Sequence, residues 1–113
     1  MFEDDERIVL AYNFGSSTRR SKVRDIDIAV YAYPALTFDL LLDLNAQIEL
    51  AVRIPVDLVQ LQDVNPSLRL RILIQGLPLV MKNRILHYAL LAQAFSELQD
   101  FRMRLRFVSS YPG

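Results

Sequence analysis

Residues 25–61, DIDIAVYAYPALTFDLLLDLNAQIELAVRIPVDLVQL, decide the fold. Over residues 25–33, Asp25 and Asp27 alternate with Ile26, Ile28 and Val30. That alternation is the period of a strand with one polar face near its start. Pro34 closes it. In residues 36–52, Leu36, Leu40, Leu44, Ile48 and Val52 recur every four positions and predict an amphipathic helix with one apolar stripe. Residues 53–61 return to strand character, and Pro55 places the beginning of that strand at an edge or ahead of full pairing.

The pattern extends in both directions from this unit. Upstream, residues 7–14 (RIVLAYNF) are a short apolar run with aromatic and β-branched residues, a strand that Gly15 ends. Residues 15–24 (GSSTRRSKVR) form a polar, basic loop or a helix start. Downstream, Asn65-Pro66 predicts a helix, with Asn65 as N-cap and Pro66 at the first helical position. It runs to about Gln75, and Gly76 caps it. Residues 77–81 are a short extended piece whose pairing Pro78 limits, and residues 83–100 a long helix. The tail FRMRLRFV alternates like a strand but follows helix without a breaker, so either continuation fits. The resulting order, β-loop-β-α-β-α-(β)-α, predicts an α/β or α+β two-layer fold, with a small mixed sheet packed against helices. One domain is expected over residues 1–113, without internal repeats.

Composition excludes several classes of function. The chain is 52% apolar, too much for a disordered tail. It has no cysteine, which removes disulfide scaffolds, thiolate metal sites and cysteine nucleophiles. His87 is the single histidine, so catalysis must run on carboxylates, hydroxyls and arginines; in its helix it reads as a partly exposed side chain. No stretch is long and apolar enough for a membrane span, and no signal peptide precedes the acidic start, so a cytoplasmic protein is expected. Charge is polarised. Residues 1–63 carry a net of −5 and residues 64–113 a net of +5, which suits either cations and an anionic partner or complementarity within one fold.

Asp25 and Asp27, two apart on a strand, point to the same face. Two carboxylates that close repel unless a cation lies between them or one is protonated. Such hard oxygen ligands suit magnesium together with phosphate and water. Asp57 stands between Val56 and Leu58 in the next predicted strand, where burial would be costly without a ligand or a hydrogen bond. If that strand neighbours the second, three carboxylates converge in an arrangement that supports in-line phosphoryl or nucleotidyl transfer. Gly15-Ser16, directly after the first strand, offers backbone amides and a hydroxyl to phosphate, with Arg19 and other basic residues following. Tyr31 and Tyr33 read as strand packing, and Lys22 and Arg24 as surface charges.

The run NFGSSTRRSKVRDIDIAVYA resembles the signature of the DNA polymerase β-like nucleotidyltransferases: Gly-Ser after a strand, a linker, then Asp-x-Asp. VDLVQLQDVNPSLRLRILIQGLPLVM is similar to the small members called minimal nucleotidyltransferases. The resemblance implies that Asp25 and Asp27 bind metal and that Asp57 is the third carboxylate. It implies that Gly15, Ser16 and Arg19 contact the nucleotide, with magnesium (two ions) as cofactor and ATP as substrate. It further implies an antitoxin that pairs with a helical HEPN ribonuclease and transfers AMP to a tyrosine of that toxin. Neutralisation of the toxin by binding alone is the alternative. Direct nucleic-acid binding is not expected, and homo- or hetero-oligomers are both open.

Overall fold

A computed structural model describes Phe2, residues 4–15 and residues 26–109, with side chains as far as Asp100. The elements are β1 (Ile8–Asn13), β2 (Ile26–Ala32), α1 (Phe38–Val52), β3 (Val56–Gln60), α2 (Pro66–Gln75), β4 (Leu77–Met81) and α3 (Arg84–Ser109). Local chemistry sets the boundaries. The Thr37 hydroxyl accepts from the Leu40 amide and starts α1, so the helix begins two residues later than the leucine repeat predicts. The Asn65 side chain accepts from the Leu68 amide at 2.8 Å and Pro66 follows at the first helical position, as expected. Gly76 closes α2, its amide donating to the Ile72 carbonyl. The alternating tail resolves as helix: α3 continues to Ser109.

The sheet has the order β3-β2-β1-β4. β1 pairs antiparallel with β2 and with β4, whereas β2 and β3 run parallel, joined through α1. This is the mixed sheet the element order called for, and it makes β3 the direct neighbour of β2. A bulge in β1 sets Val9 and Leu10 together opposite Tyr31. It shifts the phase of the strand, so that Ile8 and Ala11 face one side and Leu10 and Tyr12 the other.

Each face of the sheet has its own core. Ile28, Val30, Val56, Leu58 and Val80 pack with Leu44 and Ile48 of α1. On the opposite face Leu10, Tyr12 and Ala29 pack with Ile72 and Leu73 of α2 and Leu90 of α3. Of the predicted α1 stripe, Leu36, Leu44 and Ile48 are buried. Leu40 and Val52 are exposed, while Leu41 packs against the core. A step of four residues overshoots a helical turn by about 40°, so a strict four-residue row winds off the buried face.

Candidate functional site

The parallel pairing of β2 and β3 sets Asp27 directly beside Asp57 in register. Strands so paired lie about 4.8 Å apart, and in-register residues share a face. Along β2 and β3 that face continues with Ala29, Tyr31 and Val59, all within the α2/α3 core. The two carboxylates therefore form the last row of an apolar face, at the end of the sheet where helix cover gives out. Phe14, the residue after β1, completes the row: its amide donates to the Asp27 carbonyl at 3.0 Å, and its ring packs at the edge of the core. Asp57 is exposed and Asp27 half-buried. The desolvation argument made for Asp57 from its apolar neighbours thus does not apply, because those neighbours point to the other face. Nor does Asp57 pair with Arg53 among the described residues.

Gly15 lies against the Asp27 side chain. A β-carbon on Gly15 would stand 2.6 Å from Asp27 Oδ2 and 3.2 Å from its Cβ. No larger residue fits there with the carboxylate in place, so glycine lets bare backbone come up to the acid. The turn leading to it is held by Asn13, whose Oδ1 accepts from the Gly15 amide at 3.3 Å. At the start of β3, Glu49 of α1 accepts from the Val56 amide at 2.8 Å, while the Pro55 carbonyl accepts from the Ile26 amide at 3.0 Å. These two bonds fix the backbone immediately before both aspartates.

Behind the row, Tyr12 is fully buried and its hydroxyl lies 2.6 Å from His87 Nδ1 on α3. Burial pushes the Tyr12 phenol up to about 12. His87 is half-buried and bonded, tying α3 to the strand that leads into the site. Tyr31 packs within the sheet as expected, whereas Tyr33 is exposed.

Of the predicted site residues, Gly15, Asp27 and Asp57 are thus brought together, while Ser16, Arg19 and Asp25 lie outside the described residues. Asn13 and Glu49 carry no motif in the sequence, and their roles emerge only from which backbone amides they reach. An oxygen-only row of two carboxylates beside glycine backbone fits a hard divalent cation and a phosphate group. Among the described residues no third acid, histidine or cysteine completes a metal cluster.

A strand-borne carboxylate pair next to a glycine turn, on a β-βαβ sheet, is an arrangement that nucleotidyl-transfer chemistry can use. The family model described as "Polymerase beta, Nucleotidyltransferase" matches residues 1–85, and the chain belongs to that family. Solved structures agree in fold. A crystal structure of a toxin-antitoxin with AMP-PNP is similar at 25% identity and TM-score 0.78, covering 94% of this chain and 86% of that one. A tri-AMPylated Shewanella oneidensis HEPN toxin in complex with MNT antitoxin matches at 24% identity and TM-score 0.76, covering 96% and 85%. The toxin-antitoxin MntA-HepT matches at 24% identity and TM-score 0.74, covering 94% and 84%. No curated protein matches the sequence.

Proposed function

We propose that this chain is the antitoxin of a toxin-antitoxin pair and transfers AMP from ATP to a hydroxyl of a HEPN-type toxin, a tyrosine being the acceptor. The observation that carries the reading is the register pairing of Asp27 with Asp57, with Gly15 backbone against the Asp27 carboxylate. The neighbours that share the fold include one complex with an ATP analogue and one whose toxin is AMPylated.

In the proposed reaction the acceptor oxygen forms a bond to the α-phosphorus, and the bond from that phosphorus to the α–β bridging oxygen breaks. Pyrophosphate leaves, and the hydroxyl proton passes to the Asp57 carboxylate. Asp57 suits that role because it is exposed at the end of its strand, where an acceptor on another protein can reach it. Asp25, Asp27 and Asp57 would hold magnesium, two ions in this reading, which neutralises phosphate charge and polarises the α-phosphoryl group. Gly15, with Ser16 and Arg19 following it, would bind the nucleotide phosphates through backbone amide, hydroxyl and guanidinium. Asn13 and Glu49 keep the glycine turn and the β3 start in position. The whole of residues 1–113 acts as one domain in the cytoplasm, where ATP and the toxin's RNA substrates are found; among the described residues no helix is long and apolar enough to cross a membrane.

Intact-mass spectrometry of a candidate HEPN-type toxin, incubated with the chain, ATP and magnesium, tests the reading. The expected result is a gain of one or more AMP units. A toxin that is silenced and stably bound yet unchanged in mass would replace transfer with neutralisation by binding.

A further inference from the structure

Asp57 is carried by the outermost strand on its side of the sheet, so no neighbouring strand holds β3 from outside. The alternation of buried Val56 and Leu58 settles which face Asp57 takes. It does not settle where along β2 the carboxylate stands, because a slip of two residues keeps the faces and moves Asp57 by about 6.6 Å. Bonds at the two ends of the strand settle that. At the far end the Leu61 amide donates to the Val30 carbonyl at 2.7 Å, and the Gln60 side chain bonds the amide and the carbonyl of Leu36. At the near end, one residue before Asp57, the outer bond comes from Glu49.

Glu49 brackets the whole connection between α1 and β3. Only Arg53, Ile54 and Pro55 separate the two elements. The Glu49 carbonyl accepts from the Arg53 amide at 2.7 Å, where the chain leaves the helix in the left-handed region at φ 59°. The Glu49 carboxylate accepts from the Val56 amide at 2.8 Å, where the chain enters the strand. Pro55 has no amide, so Val56 carries the first donor of β3. The Ile26 amide bonds the Pro55 carbonyl, and strand groups point alternately to the two sides, so the Val56 amide points away from β2. A carboxylate is the stronger kind of acceptor for such a donor. One residue thus fixes the exit from the helix with its backbone and the entry to the strand with its side chain, and the next residue along is Asp57. Because α1 lies on the opposite face of the sheet from the carboxylate row, Glu49 acts on Asp57 through this backbone.

We infer that Glu49 is the positioning residue of Asp57, a hydrogen-bond acceptor of the right reach that keeps Asp57 level with Asp27. That this placement serves AMP transfer rests on the function proposed above.

Two conservative variants separate reach from charge. Glu49→Gln keeps an oxygen for the Val56 amide and loses the charge; Glu49→Asp keeps the charge and is one methylene short. Transfer of AMP to a candidate HEPN-type toxin is measured at saturating ATP and magnesium, beside a thermal melt of each variant. Glu49→Gln should stay within about three-fold of wild type, whereas Glu49→Asp and Glu49→Ala should lose roughly ten-fold or more in kcat with the KM for ATP unchanged. Activity kept in Glu49→Asp and lost in Glu49→Gln would overturn the inference, and so would a wild-type rate in Glu49→Ala.

Cross-linking reads the placement without catalysis. The chain has no cysteine, and in-register neighbours on adjacent strands lie about 4.8 Å apart, within disulfide range. In Asp27→Cys/Asp57→Cys, oxidised glutathione should join the two thiols. Adding Glu49→Ala should slow the joining about five-fold or more, as the strand end frays, and adding Glu49→Gln should not. Slowed cross-linking in a chain that transfers no AMP would leave Glu49 in its positioning role and reject the catalytic reading. Unslowed cross-linking in a chain that does transfer AMP would overturn the inference and leave the catalytic reading standing.

Discussion

Gly15 shows how narrow the tolerance of the site is. With a methyl group there, the Asp27 carboxylate must rotate away, because the added carbon falls 2.6 Å from its oxygen and 3.2 Å from its less movable Cβ. Gly15→Ala is expected to lower AMP transfer about 100-fold or more, since misplacement by about an ångström carries that order of cost. Stability should hardly change, because the clash is relieved at a half-exposed side chain; the initial rate of toxin mass gain beside a thermal melt separates the two effects. Tyr12 behaves differently, being wholly inside. Tyr12→Phe removes the partner of His87 Nδ1 and should cost about 1–2 kcal/mol in urea unfolding. The phenol also sets a pH dependence. It ionises at about 10 in the unfolded chain and only at about 12 in the fold, so its contribution is complete below pH 10 and is lost as the pH rises toward 12. The phenylalanine variant should lack that alkaline loss of stability.

At the scale of elements, the end of α1 is costly. Arg53 closes the helix in the left-handed region, φ 59° and ψ 31°, its amide donating to the Glu49 carbonyl. That conformation favours glycine. Arg53→Gly should stabilise the chain by about 0.5–1 kcal/mol, the relief of left-handed strain being partly offset by glycine's greater chain entropy. A loss of stability in urea unfolding would show that the arginine side chain makes a contribution larger than its strain. Elements governed by adjacent residues were legible in the sequence. Asn65-Pro66 and Gly76 bracket α2 as read, and β4 spans Leu77–Met81 as read. The four-residue leucine row was less informative, because a row is not a face over four turns. The segment after β2 is held by contacts no local rule predicts. Gln60 bonds both the amide and the carbonyl of Leu36, and Gln62 does the same for Ala32, so two side chains stand in for a further strand.

For the molecule as a whole, the decisive fact is strand order. The sequence placed Asp27 and Asp57 on two strands but not beside each other; their proximity was conditional on β3 neighbouring β2, and the parallel register supplies it. The Tyr12–His87 bond, across 75 positions, had no sequence signal at all. Asn13 and Glu49 were equally silent, since a polar residue near a strand end looks the same whether it faces water or caps a backbone amide.

The central claim is that the Asp27–Asp57 row performs nucleotidyl transfer to a partner protein. The most direct measurement is the rate of AMP mass gain on the HEPN protein with wild type, Asp27→Asn and Asp57→Asn, at saturating ATP and magnesium. The account predicts a fall of about 1,000-fold or more in each variant, or about 4 kcal/mol in the barrier, with Tm and toxin binding preserved. A wild-type rate in either variant would contradict it.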